Sequence, residues 1–180
     1  MSKYFTVKRL AVLALLTALC HIGRIAFQFI PNVQPVTVIL IIITLTMGTL
    51  DGLLVAITSM VISNMLLGMG PWTLYQIMAY GIIVLLTSAL KALYNRLKDH
   101  QSARRVIFAL FAGATGLIYG FVISIFSSQM FGVVNFWVYY AQGITFDLMH
   151  AAGNVAFFLV LEPTLVPIIQ KRFTRSGINA

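Results

Sequence analysis

The chain has 180 residues, of which 60% are hydrophobic and only 9% are charged, against roughly 25% charged residues in soluble domains. With a mean hydropathy of +0.96, it cannot cover itself with polar surface, which excludes a soluble globular protein. Because a membrane-spanning helix takes ~20 apolar residues, the length allows about six spans with short connections. We therefore predict a single integral membrane domain over residues 1–180 and no sizeable soluble domain.

The net charge of +8 would suit a nucleic-acid partner if the basic residues formed one surface. Instead they fall into three clusters beside apolar runs, which is how orientation signals of membrane proteins are placed. We therefore predict a lipid bilayer as the environment and no nucleic acid as a partner. The three clusters are Lys3, Lys8 and Arg9; Lys91, Arg96, Lys98, Arg104 and Arg105; and Lys171, Arg172 and Arg175.

Six apolar runs predict an all-α bundle of six transmembrane helices. By the positive-inside rule, the three basic clusters place the N-terminus, the loop between spans four and five, and the C-terminus in the cytoplasm. The loops at 31–35, 68–72 and 127–137 would then face outward together. The predicted spans are 10–30, 36–48, 53–67, 72–93, 106–126 and 138–161.

Two of these outward turns interrupt apolar runs with residues that can stack and hydrogen-bond. We expect them, with nearby polar side chains, to frame a pocket for an external ligand. Two simpler interpretations stay open: the aromatic residues form an interfacial belt, and Asn64 makes a helix-packing hydrogen bond. The expected pocket residues are Asn32 and Gln34 in the first turn, Trp72, Tyr75 and Gln76 after the second, Asn64 before it, and Tyr139 in span six.

Span six carries Asp147, His150 and Asn154, whose spacings of three and four place them on one helix face. At membrane depth these groups must face protein or a wet cavity, because lipid exposure would cost several kcal/mol per group. The row is interpreted as part of a ligand site or a proton relay, with a structural polar seam as the alternative.

Arg24 is the one basic residue outside the three clusters, about 14 residues beyond the first and hence ~20 Å along the helix. Its long stem would allow it to snorkel to the outer surface. We expect it instead to face inward, where it pairs with Asp147 or binds an anionic group of a ligand.

Span one also has Ala14 and Ala18 on one stripe, a small-xxx-small pattern that allows another helix to approach closely. The sequence has no phosphate loop, no H-E-x-x-H pair and no G-x-S-x-G elbow. We therefore expect no catalytic residue, metal or cofactor on this chain, and an energy source elsewhere.

Taken together, the motifs resemble the substrate-binding S components of energy-coupling-factor (ECF) vitamin transporters, over nearly the whole chain. The segments at 32–35 and 70–72 are most similar to the branch associated with cobalamin. The residues that carry the resemblance are Ala14-x-x-x-Ala18, Asn32-Val-Gln-Pro35, Asn64, the 68–73 segment Gly-Met-Gly-Pro-Trp-Thr, and Asp147-x-x-His150-x-x-x-Asn154.

The resemblance implies a bundle that captures a vitamin from outside and docks, through Ala14 and Ala18, on a transmembrane coupling subunit. Two cytoplasmic ATPases would drive the module, so that ATP binds to the partners and not to this chain. Three alternatives remain open: an S component for another vitamin or a queuosine precursor, a membrane-embedded enzyme that uses Asp147 and His150, and a stand-alone proton-coupled carrier.

Overall fold

A computed structural model describes residues 6–174, so that Lys3 and Arg175 of the terminal basic clusters lie outside it. The described chain is all-α, with no strand in this range, and its six helices confirm the predicted fold class. The helices are α1 Val7–Ala26, α2 Val36–Thr46, α3 Thr49–Leu67, α4 Trp72–Arg96, α5 Gln101–Met130 and α6 Phe136–Thr174.

Helix ends coincide with the capping and turn residues of the sequence. The hydroxyl of Thr6 accepts a hydrogen bond from the Arg9 backbone N–H and caps α1. Gly48 precedes α3 with φ 128°, and Gly68 follows it with φ 117°. Side-chain-bearing residues rarely adopt these conformations, so the two glycines set where α3 begins and ends.

The second helix is a core helix that is shorter than a full membrane span. It returns the chain antiparallel to α1, because Pro35 at its start lies beside Gly23 and the Met47 carbonyl at its end accepts a hydrogen bond from Arg9. Its 11 residues span about 16 Å, and ten of them, from Val36 to Leu45, are buried. It contacts each of the other five helices. Those five are all long and apolar enough to span a membrane, so the bundle surrounds α2.

Most predicted boundaries differ from the structure by a few residues, and three of the differences are described here. Helix α1 ends at Ala26, before the predicted residue 30, and α5 continues to Met130, which shortens the predicted 127–137 loop to 131–135. Helix α6 runs beyond its predicted end at 161, through Pro163 and Pro167. Just before these prolines, the Glu162 carboxylate accepts hydrogen bonds from two arginines of α5, which join α6 to α5 at this point.

The connection between α1 and α2 packs into the bundle. A Cβ on Gly23 would overlap the Pro35 ring, and one on Gly153 would lie 3.1 Å from a methyl carbon of Val33. Gly153 is 17 residues beyond Phe136, about 26 Å along α6. Val33 of the first turn thus contacts the middle of α6. That the loops at 31–35, 68–72 and 127–137 face outward together stays a prediction.

Candidate functional site

Arg24 lies in the last turn of α1 and faces the protein, with 7% of its surface exposed. Its Nη1 donates to Ser63 Oγ, to Asn64 Oδ1 at 3.1 Å and to Met60 Sδ at 3.5 Å, all on α3. Its Nε has no hydrogen-bond partner. The guanidinium is thus held by neutral groups and keeps an unused donor.

Asn64 joins three helices around this guanidinium. While its Oδ1 accepts from Arg24, its Nδ2 donates to Thr73 Oγ1 at 2.9 Å and to Gln76 Oε1 at 2.7 Å, both in the first turns of α4. Asn64 is 2% exposed. An amide that uses both donors and its acceptor in this way fixes the ends of α1, α3 and α4 relative to one another.

A second polar group forms around His150 of α6. Its Nε2 lies 2.8 Å from Thr37 Oγ1 of α2. The ring packs edge-on against Tyr119 of α5 at 5.0 Å between centroids, and Tyr119 in turn lies 4.8 Å from the ring of Tyr80 on α4. His150 is 3% exposed, and its Nδ1 has no partner.

These two polar groups meet on α4. Gln76 belongs to the first and Tyr80 to the second, and a spacing of four puts them on one face of the helix, one turn apart. A continuous series of polar and aromatic side chains therefore crosses the bundle from Arg24 to His150. All six helices contribute to it, which makes it the candidate ligand site.

Asp147 and Asn154 flank His150 on the same face of α6, and both are buried, with 5% and 0% of their surface exposed. The Asp147 carboxylate lies against Gly120 of α5, where a Cβ would overlap it, and its Oδ2 has no partner. The Nδ2 of Asn154 donates to the Ala112 carbonyl at 3.1 Å, whereas its Oδ1 is unpaired.

The expected ion pair between Arg24 and Asp147 does not form. Arg24 does face inward, but its hydrogen bonds go to α3, and among the described residues neither side chain has an ion-pair partner. The reason is positional, since the α3 acceptors lie directly beside the last turn of α1 and satisfy the guanidinium there. An unpaired cation and an unpaired carboxylate are both enclosed by the bundle.

The aromatic residues expected after the 68–72 turn lie apart from this polar series. Trp72 is 45% exposed and folds back over its own turn, with Nε1 donating to the Gly68 carbonyl at 3.2 Å. Tyr75 stacks on Phe126 of α5, with centroids 5.2 Å apart. Tyr75 thus connects the start of α4 to the end of α5.

The remaining expected pocket residues are half-buried and lie at the edges of the bundle. Asn32 adopts a left-handed backbone with φ 57°, which Asn tolerates better than most residues, and it turns the chain toward Gln34. Tyr139 lies in the first turn of α6, next to Tyr140, whose ring packs against Phe121. For these three, a role in ligand binding stays a prediction.

Ala14 and Ala18 are exposed and line a groove between α1 and α3 with a volume of about 490 Å³. Apart from His21 and a pair of hydroxyls, Thr17 and Thr58, which lie 3.0 Å apart, its walls are aliphatic. The predicted small-residue stripe is therefore on the surface and opens onto a groove that an apolar helix could occupy.

The sequence pattern gave no signal for two buried ion-pair sites. Arg9 donates through Nε to Asp51 Oδ1 at 2.9 Å and through Nη2 to Asp51 Oδ2, with both residues buried. Glu162 accepts from Arg104 and Arg105, each at 3.0 Å. Acid and base are 42 residues apart in the first case and 57–58 in the second, so only the fold brings them together.

The fold and this site define the class: an all-α, multi-pass protein of the cell membrane whose enclosed polar site is built from every helix. The model of one family, the substrate-specific component of ECF transporters, matches residues 8–162. The chain belongs to this family, whose members are transport subunits and not enzymes. The comparisons with curated proteins and with solved structures give no significant match.

Proposed function

We propose that this chain captures a vitamin at the external face of the cell membrane and delivers it to an ATP-driven module for uptake. Cobalamin is the first candidate ligand. The observation that carries the proposal is the enclosed polar series from Arg24 to His150 in a chain of the ECF substrate-specific family. Its unpaired buried groups supply hydrogen bonds that a ligand would complete.

Cobalamin is supported by the chemistry of the site and by the resemblance of the 32–35 and 70–72 segments. The site contains amide side chains at Asn64, Gln76 and Asn154, of which Asn154 keeps an unpaired oxygen, and aromatic rings at Tyr80 and Tyr119. A ligand that bonds to Asn64 or Gln76 would replace their mutual hydrogen bond. A large, amide-rich ligand binds through such hydrogen bonds and stacking contacts. S components for riboflavin, folate, pantothenate or queuosine precursors are the alternatives.

Docking on the coupling subunit is proposed for the groove beside Ala14 and Ala18, where small side chains allow a second helix to approach closely. The coupling subunit would connect the chain to two cytoplasmic ATPases, and ATP would bind only to those partners. The basic clusters support a cytoplasmic location for the ends of the chain, in which case capture and ATP hydrolysis would occur on opposite sides of the membrane.

The direct test is a calorimetric titration of the purified, detergent-solubilised protein with cobalamin, followed by the four alternative ligands. We expect one compound to bind saturably with sub-micromolar affinity. Asn64→Ala should weaken that binding about ten-fold or more, because it releases Arg24 and Gln76 from their shared partner.

Asn95→Ala is the matched control, because Asn95 is exposed near the other end of α4 and should leave affinity unchanged. Circular dichroism and size-exclusion chromatography confirm that each variant is folded. If no compound binds to folded wild-type protein, vitamin capture is contradicted; if Asn64→Ala binds normally, the ligand lies outside the polar series.

A further inference from the structure

A cluster of charged side chains joins α4, α5 and α6 far from the polar series. The Glu162 carboxylate accepts hydrogen bonds from Arg104 Nη2 and Arg105 Nε, each at 3.0 Å. The Tyr94 hydroxyl donates to the same carboxylate at 3.3 Å, and the Arg104 guanidinium lies 4.6 Å from the centroid of the Tyr94 ring. Tyr94 is 18 residues beyond Gln76 on α4, about 27 Å along the helix, so this cluster is separate from the candidate ligand site.

The cluster keeps an excess of positive charge and unused hydrogen-bond donors. One carboxylate faces two guanidinium groups, and Arg105 contributes only its Nε, so that among the described residues its two Nη nitrogens make no hydrogen bond. The Arg105 side chain is 38% exposed, whereas that of Glu162 is 3% exposed. A buried carboxylate therefore fixes a guanidinium whose outer nitrogens remain available to another molecule.

Further cations surround Arg105. Arg96 and Lys98 are exposed at the end of α4 and in the connection to α5, and Lys91 is half-buried one turn before Arg96. Residues 91–105 together with Glu162 carry five basic and two acidic side chains, a net charge of +3. Membrane orientation depends on the number of such charges near a span, and the exposed ones would supply it without a buried carboxylate that positions two arginines.

The surface next to the cluster is aliphatic. Val106, Ile107 and Leu110 follow Arg105 on α5 and are 55%, 41% and 63% exposed. Because α5 is long and apolar enough to span a membrane, these side chains would contact lipid tails. Arg105 then lies where the hydrocarbon of the bilayer gives way to the headgroups.

We propose that Arg105 binds the phosphate group of an anionic phospholipid. Its two Nη nitrogens lie in the plane of the guanidinium, and such a planar pair of donors matches two phosphate oxygens. Basic pockets between membrane helices at the cytoplasmic side bind anionic headgroups in this way. The exposed aliphatic side chains beside Arg105 favour a lipid over a free anion, because they would contact its acyl chains. The site does not depend on vitamin capture.

The first test uses the wild-type, full-length chain in a neutral detergent, with bound lipids counted by native mass spectrometry. The probes are phosphatidylglycerol and phosphatidylcholine with the same acyl chains, since the second lipid has a phosphate group but no net charge. We expect one phosphatidylglycerol to bind about ten-fold more tightly than phosphatidylcholine, or better. Inorganic phosphate at the same concentration should not displace it.

The second test asks whether Arg105 is the headgroup ligand. Arg105→Lys keeps the charge and a donor for Glu162 but removes the planar pair, so phosphatidylglycerol should bind about three- to ten-fold more weakly. Arg96→Lys makes the same exchange at an exposed position of α4 and is the matched control, with unchanged affinity. Any vitamin that binds wild type should bind both variants equally well, because its proposed site is at the other end of α4.

Each outcome has a defined meaning. Equal affinity of wild type for the two lipids overturns the anionic site, and this comparison holds even if Arg105→Lys does not fold. Wild-type affinity for phosphatidylglycerol in folded Arg105→Lys overturns the assignment of Arg105, since the cluster would then attract the headgroup by charge alone. Displacement by inorganic phosphate overturns the lipid as the ligand. Preference for phosphatidylglycerol that weakens in Arg105→Lys and persists in Arg96→Lys supports the proposal, whether or not a vitamin binds.

Discussion

At the scale of single residues, the buried pair of Arg9 and Asp51 holds the start of α1 against the start of α3. The guanidinium donates through two nitrogens to the two carboxylate oxygens and also to the Met47 carbonyl at 3.4 Å. Asp51 is fully buried and Arg9 is 6% exposed. Removing one partner leaves the other charge buried and without compensation.

We therefore predict that Asp51→Leu lowers the free energy of unfolding by about 3–5 kcal/mol, measured by thermal or denaturant unfolding in detergent. The double variant Arg9→Met with Asp51→Leu should recover much of this loss, because neither charge remains. Lys8→Met, at the exposed neighbouring position, is the control and should change little. A double variant as unstable as the single one would contradict the pairing argument.

Residue types in the sequence predicted which buried positions are polar but not which partners they have. Asp147, His150 and Asn154 were expected on one inward face from their spacing, and all three are buried. Arg24 was expected to face inward, which is confirmed, but its partners are on α3. For Asp51, no local pattern indicates a partner 42 residues away.

At the scale of elements, the seam between α5 and α6 depends on small residues. Ala112 is fully buried, and Gly116 and Gly120 leave room for Ala151 and Asp147. This stripe of small residues therefore packs inside the bundle. The seam sets the position of Asp147, whose carboxylate lies against Gly120.

Gly116→Ala should separate the two helices, because its Cβ would lie 2.6 Å from the Ala151 nitrogen and 2.8 Å from its Cα. Such overpacking costs about 1–3 kcal/mol, measured as a lower melting temperature in detergent. Gly81→Ala on α4 is the matched control: its Cβ would meet only a flexible leucine carbon at 3.9 Å, and the change should be neutral or stabilising. Equal melting temperatures for both variants would contradict the close approach.

Helix α1 carries the proposed docking surface, and bulky side chains should block it. We predict that Ala14→Trp with Ala18→Trp abolishes vitamin uptake in cells that contain the ATP-driven module, while vitamin binding by the purified variant is unchanged. Leu15→Trp with Leu19→Trp is the control, since these side chains are exposed on a different face of α1, and uptake should persist. Normal uptake by the variant with both Ala14→Trp and Ala18→Trp would refute the docking surface.

The positions of the helices in the sequence were predictable from the apolar runs. How deeply each helix or turn is buried in the bundle, and how long each helix is, was less predictable. The run at 36–48 reads as a short span, and α2 is instead surrounded by the other helices. Composition alone cannot separate these cases, since lipid and a protein core are both apolar. The sequence likewise did not indicate that Val33 and Pro35 of the 31–35 turn contact α6 and α1, while Asn32 and Gln34 stay half-buried.

At the scale of the whole molecule, the buried charged residues fall into two groups: those in ion pairs that join helices, and those without an ion-pair partner. Two of the four acidic residues, Asp51 and Glu162, form buried or half-buried pairs with arginines that join helices. Asp147 and Arg24, both buried, form no ion pair within the described chain. Intramembrane ionisable groups without partners typically mark a substrate or ion path.

The most direct measurement of the central claim is vitamin accumulation in liposomes that contain this chain, with or without the coupling subunit and its two ATPases. The probe is radiolabelled cobalamin or, if titration selects it, another compound of the panel. We predict binding without accumulation by the chain alone, even under a pH gradient, and accumulation once the module and ATP are supplied. Accumulation by the chain alone under a pH gradient would contradict the account and identify a proton-coupled carrier.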